Sequence, residues 1–164
     1  MKKVLAAIAV AVAAPVAMTA AAPAAFAQKA EGEIAIPAPP PGKGQVLFYR
    51  TGGLSGAALG CAVFDVGAED KLSSLGAGKY FILVSDPGPR SFTVKSLETK
   101  DALTLEIEEG ETQFVRCKIK TGFMSGRADI GPSTETEFRT KHKNPKLVDA
   151  DDMSEAVRKT NYPG

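Results

Sequence analysis

From Gln45 to Phe138 the chain reads as short β-patterned segments separated by turn residues about every 8–12 positions, with no long helical period between them. That spacing limits the fold to an all-β class, because a parallel α/β sheet needs a crossover helix between its strands. We expect a small antiparallel β-sandwich of about seven strands, followed by a short C-terminal helix.

The segments themselves say which faces are buried. Val46–Tyr49 is apolar throughout, the pattern of a strand covered on both faces. Leu103, Leu105 and Ile107 alternate with Thr104, Glu106 and Glu108, a half-buried strand with one wet face. Val115, Cys117 and Ile119 oppose Arg116, Lys118 and Lys120 in the same way, which puts Cys117 on the inner side. Phe92 and Val94 give a shorter alternation, and Tyr80–Val84 and Cys61–Val66 are further candidates. Asp86-Pro87-Gly88-Pro89 reads as the turn of a hairpin joining Tyr80–Val84 to Ser91–Ser96. Glu109-Gly110 and Gly67–Asp70 turn the chain elsewhere.

The start of the chain carries different information. Lys2 and Lys3 precede the apolar run Val4–Ala14, and Ala25-Phe26-Ala27 forms an A-x-A site before Gln28. These are the three parts of a cleavable export signal. Pro15, Thr19 and Pro23 interrupt the stretch, which argues against a retained anchor, and no cysteine precedes Cys61 to carry a lipid. The expected organisation is a signal peptide over 1–27, a Pro-rich spacer over 28–42, a β-sandwich over 43–140 and a charged tail over 141–164. In the spacer, Pro37, Pro39, Pro40 and Pro41 favour extended polyproline. The expected address is the periplasm or the cell envelope, with no stable membrane insertion.

Loss of the signal leaves 137 residues, enough for one domain with its own core. It removes two of the 20 basic residues and none of the 19 acidic ones, for a net charge of −1. Mixed charge near neutrality gives no electrostatic reason to expect nucleic acid or anionic lipid. Cys61 and Cys117 are the two cysteines; in an oxidising compartment we expect them to pair, with buried free thiols as the alternative. No metal and no cofactor are expected, since His142 is the only histidine and soft ligands are few.

Beyond Phe138 the basic residues Arg139, Lys141, Lys143 and Lys146 precede Asp149, Asp151 and Asp152. Asp152 and Glu155 make a D-x-x-E helix start, and Met153, Ala156 and Val157 form a narrow apolar stripe. Arg158 and Lys159 suit the negative end of the dipole, so one short, weakly docking helix is expected.

No catalytic residue is expected. Gly53–Ala57 approaches a G-x-S-x-G elbow around Ser55, but alanine ends it and a β-fold lacks the required strand-to-helix turn. Gly76-Ala77-Gly78-Lys79 has Ser73 and Tyr80 where a phosphate loop needs glycine and a hydroxyl residue, so a tight turn suffices. His142, flanked by Lys141 and Lys143, reads as a solvated surface side chain. The tail aspartates lack calcium-loop spacing and read as helix N-terminal carboxylates. Tyr49, Arg50 and Tyr80 remain as candidate binding residues, because both types bury area and donate hydrogen bonds. Their alternative is structural: an arginine at a strand end and tyrosines with satisfied hydroxyls.

Gly42–Arg50, Leu75–Phe81, Pro87-Gly88, Phe92-Thr93-Val94, Glu109–Thr112 and Gly126-Arg127 occur in that order. Through them the chain resembles the bacterial domain-of-unknown-function family 2846 over residues 42–138. Arg90 stands where that family often has histidine, Gln113-Phe114 replace a Tyr-Tyr pair, and Ala128 replaces a proline, so no His- or Tyr-based site carries over. The resemblance implies fold and address alone: a β-sandwich related to the carboxypeptidase-regulatory and PEGA-like groups, found in exported bacterial proteins. The expected role is a non-catalytic envelope binding or interaction domain whose partner is a protein or a glycan. A small-ligand carrier with a pocket near Tyr49, Arg50 or Tyr80 is the second reading, and a hydrolase the third.

Overall fold

The structure, a computed structural model, describes residues 34–53, 59–95, 102–121 and 126–162. The segment read as an export signal and the candidate nucleophile Ser55 lie outside the described residues. Among the described residues, nine strands and two short helices follow one another as β1 (Gly44–Arg50), β2 (Cys61–Asp65), β3 (Ser73–Leu75), β4 (Lys79–Ser85), β5 (Gly88–Val94), β6 (Leu103–Ile107), β7 (Thr112–Thr121), β8 (Gly126–Ser133), α1 (Glu135–Lys141), β9 (Lys146–Leu147) and α2 (Glu155–Asn161). The protein is predominantly β, as its turn spacing predicts. One sheet has the order β8-β7-β1-β4-β9 and the other β3-β2-β5-β6.

Three expectations about the strands need correction. The first sheet is mixed, not antiparallel: β1 runs parallel to β7, and β4 parallel to β9. The chain between β1 and β7 passes through the other sheet, and that passage serves as the crossover a parallel pair requires. Asp86-Pro87-Gly88-Pro89 does not close a hairpin, since β4 pairs with β1 while β5 pairs with β2 and β6. It carries the chain from one sheet to the other. The count exceeds seven because β3 and β9 are very short and β8, with Gly131 and Pro132, has no apolar alternation.

Alternation decides the core. Val46 and Phe48 of β1, Phe81 and Leu83 of β4, and Val115 and Cys117 of β7 meet Val63, Phe92, Val94 and Ile107 of the second sheet in one cluster. The Phe48 ring stacks on Phe81 and meets Phe92 edge-on, both at 5.0 Å. The Cys61–Cys117 disulfide ties β2 to β7, and so one sheet to the other. Closing that loop is worth about 4 kcal/mol on the chain-entropy account. Gly44 lets β1 pass beneath the turn before β7: a Cβ there would stand 2.3 Å from the Glu108 carbonyl oxygen.

The other face of the first sheet is also covered. Leu47, Tyr49, Ile82 and Phe114 pack around Phe138 of α1, joined by Ile36 and Tyr80. All seven residues of β1 are therefore buried, as the unbroken apolar run predicts. Ile36 belongs to the segment expected to be a spacer. Its neighbour Pro37 accepts a hydrogen bond from Gln45 Nε2 at 2.6 Å, and Arg139 donates to the Ile34 carbonyl at 3.3 Å. Residues 34–42 thus lie along the domain.

The segment after Lys141 is part of the domain too, not a weakly docked charged tail. Val148 donates its N–H to Tyr80 O at 2.9 Å and Ser154 to Leu72 O at 2.8 Å, while Met153 bridges to Ser73. This segment therefore borders β4 in one sheet and β3 in the other. Val148, Met153 and Val157 join the core, but Ala156 is exposed. These apolar residues lie on an extended stretch, a 3-10 turn and a helix in succession, so no single helical stripe describes them. Ser154, not Asp152, caps α2 by accepting from Val157 N–H. A second helix, α1, precedes it, capped by Thr134, whose hydroxyl accepts from Glu137 N–H at 3.1 Å.

Candidate binding cleft at the end of β1

β1 stops at Arg50, opposite Cys117, whereas β7 continues to Thr121. Past Cys117, β7 keeps β8 on one side and has no described strand on the other. The chain leaves β1 through Thr51, Gly52 and Gly53. Between that exit and Arg116–Ile119 lies an open, polar cleft of about 260 Å³, with Arg50 also on its wall.

Alternation sends the cations to different sides. Arg50 shares the inner face with Phe48; it is 3% exposed and donates to the carbonyls of Leu59 and, at 3.4 Å, Leu75. Burial pushes its pKa down, yet a guanidinium stays charged in any accessible range. Arg116 points to the outer face, where it pairs with Glu137, and its Nε is buried without a hydrogen-bond partner. Lys118 is exposed and has no partner among the described residues. Lys120, further along, pairs with Asp129.

Glu137 is the anchor of this region. It accepts from Ser133 Oγ at 2.7 Å and from Lys141 Nζ at 2.9 Å, besides Arg116. The Ser133 hydroxyl, then Lys141 and the Arg116 charge, hold its carboxyl pKa at about 2. Because Ser133 donates to Glu137, the 2.6 Å contact from Tyr49 Oη is one in which Tyr49 donates. This chain fastens α1 to the sheet. Burial pushes the Tyr49 phenol up, and that of Tyr80 likewise.

The three residues singled out from sequence therefore part company. Tyr49 and Tyr80 converge on Phe138, at ring distances of 5.1 and 5.9 Å, and Tyr49 is wholly buried. Arg50 lies on the opposite face of the strand and alone of the three lines the cleft. The Gly76–Lys79 stretch is a turn, closed by Lys79 N–H to Gly76 O at 3.2 Å, and Lys79 pairs with Asp149. Asp152 pairs with Lys71, so neither aspartate caps a helix through its side chain.

His142 is not the solvated side chain expected. It is 2% exposed, with its ring 5.6 Å from Tyr49 and 5.3 Å from Phe138. Neither ring nitrogen has a hydrogen-bond partner. Burial pushes its pKa down, and the carbonyls of Arg50 and Gly78 beside it oppose that shift without reaching bonding geometry. The missed signal was the spacing: Phe138 and His142 stand four apart at a helix end, so both meet the same surface. Lys141 and Lys143 on either side give the segment a charged pattern that masks this spacing.

No protein-family model, curated protein or solved structure matches the chain. Among the described residues, no group of three or more His, Cys, Asp or Glu could hold a metal ion, and no helix is long and apolar enough to cross a membrane.

Proposed function

We propose that the chain is an exported β-sandwich domain of the cell envelope that acts by binding a protein or a glycan. The observation that carries this reading is the cleft at the end of β1: polar, open, flanked by Arg50, Arg116 and Lys118, and mounted on strands tied by a disulfide. Sites on rigid strands hold their geometry better than sites on loops. Export is supported by the Lys2-Lys3, apolar and A-x-A pattern and by the paired cysteines, which suit an oxidising compartment. The sandwich is supported by two sheets sharing one core.

The carrier reading has less support, because Tyr49 and Tyr80 are committed to an aromatic cluster. Hydrolysis has less still: the Tyr49–Ser133–Glu137 chain ends on a carboxylate held ionised by three donors, which makes it a poor base. The test is crosslinking in cells, followed by non-reducing mass spectrometry of the envelope fraction. We expect a chain beginning at Gln28, two hydrogens short, joined to a macromolecule. Recovery of monomeric, partner-free chain alone would overturn the proposal.

A further inference from the structure

We infer that residues 34–40 form an exchangeable arm, and that the groove they fill also takes the same arm of a second copy, giving a two-fold dimer. This groove is separate from the cleft at the end of β1. It crosses the outer face of the first sheet over Val84, Gln45 and Thr112, which stand side by side on β4, β1 and β7. Glu135 and Arg139 of α1 wall it on one side, and Lys159 and Thr160 of α2 on the other. Ile36 enters the cluster around Phe138, while Arg139 and Gln45 donate to the Ile34 and Pro37 carbonyls. Gln45 is the telling residue. It is 1% exposed, and its Nε2 donates both to Pro37 O and, at 2.8 Å, to Thr112 Oγ1. A proline-rich segment carries carbonyls but few N–H groups, so a groove that receives one must supply donors.

The arm is fitted but lightly held. Pro37, Pro39, Pro40 and Pro41 have no N–H for a strand ladder, and Pro37, Ala38 and Pro40 stay exposed. Clefts of about 240 and 360 Å³ remain along its two sides. The Pro41-Gly42 turn folds it back over its own domain, closed by Lys43 N–H to Pro40 O at 3.0 Å, with Gly42 at φ 76°. Opening the turn gives up that bond and the one from Gly42 N–H to Glu109 at 2.9 Å. Pro39, Pro40 and Pro41 then continue as a stiff polyproline rod, which cannot bend back over the same domain. An arm already stiff loses little entropy on docking elsewhere. The emptied groove leaves Gln45 without its Pro37 acceptor, which favours refilling. Every copy carries both arm and groove, so two chains that exchange arms restore each contact on both sides of a two-fold axis.

The experiment mixes isotope-labelled and unlabelled copies of the purified protein at about 1 mM, the scale of a tethered arm's own effective concentration. NMR contacts between copies are then read. Ile36 methyls of one copy should contact the Phe138 ring of the other. Light scattering should show the dimer fraction rising about tenfold or more over a roughly hundredfold rise in concentration. Ile36→Asp should abolish the dimer, and unchanged hydrogen exchange in β7 and β8 shows that this variant folds. Pro40→Gly with Pro41→Gly should cut the dimer about tenfold, because a flexible hinge returns the arm to its own groove. A monomer at every concentration would overturn the inference. So would a dimer without Ile36 contacts between copies, one that persists in Ile36→Asp, or one equally strong with the glycine hinge. The contacts between parent copies decide the matter even if Ile36→Asp were to unfold.

Discussion

His142 occupies a site lined by the Tyr49 and Phe138 rings, where a charged imidazole would lose its hydration, a loss that the neighbouring backbone of Arg50 and Gly78 offsets only in part. Folding is thereby linked to its neutral form. The unfolded imidazole takes up a proton near 6.5, whereas the folded one does so only at lower pH. The unfolded state thus binds more protons through that window, so His142 leaves stability intact above 6.5 and erodes it as pH falls below. Glu137 acts in a separate window. Its folded pKa of about 2 lies below the ordinary 4.5, so its contribution is lost only under stronger acid. We therefore expect urea stability to fall between pH 8 and pH 5 in the parent, and to fall less in His142→Phe. At pH 8 the variant should lie within about 1 kcal/mol of the parent, because an apolar ring replaces a polar one without partners. An equal fall in both proteins would refute this reading of His142.

The elements depend on contacts that strand patterns do not announce. β4 has β1 on one side; on the other, β9 covers only Lys79 and Tyr80. Asn161 of α2 continues that border, its side-chain amide accepting from Ile82 N–H at 2.8 Å and donating to Ile82 C=O at 2.7 Å. A side chain here does what a strand partner would do and closes an edge that could otherwise recruit another chain. Asn161→Ala should cost about 2 kcal/mol in urea denaturation, the scale of two backbone groups left unpaired. A loss below about 0.5 kcal/mol would show that α2 docks without this clasp. Such a role could not be read from an asparagine near a chain end. By contrast, β1, β6 and β7 were legible because Val46–Tyr49, Leu103–Ile107 and Val115–Ile119 show burial directly in their apolar pattern. β8 was not, since its glycines and Pro132 obscure a strand defined by pairing with β7. α1 carries two local signals, the Thr134 cap with Glu137 three residues on and the four-residue spacing of Phe138 and His142, but seven residues are too few to show a full amphipathic period.

At the scale of the molecule, the doubly covered sheet and the Cys61–Cys117 bond explain why a chain of this size can hold a fixed cleft. Both were readable in part: the apolar run of β1 called for two covered faces, and inward Cys117 called for a partner. The cleft itself was not readable, because it arises from the difference in length between β1 and β7 and not from any motif. The residue type of Arg50 suggests a binding role, whereas the sequence pattern gives Arg116 and Lys118 only as the wet face of a strand. The account's central claim is that this end of the sheet is where the domain meets a partner. Its most direct test is a photo-crosslinking residue placed in cells at Lys118 or, as a comparison, at exposed Ala156 on α2. The account predicts a discrete protein adduct in the envelope fraction from position 118 and none from position 156. No adduct from 118, or equal adducts from both positions, would contradict it.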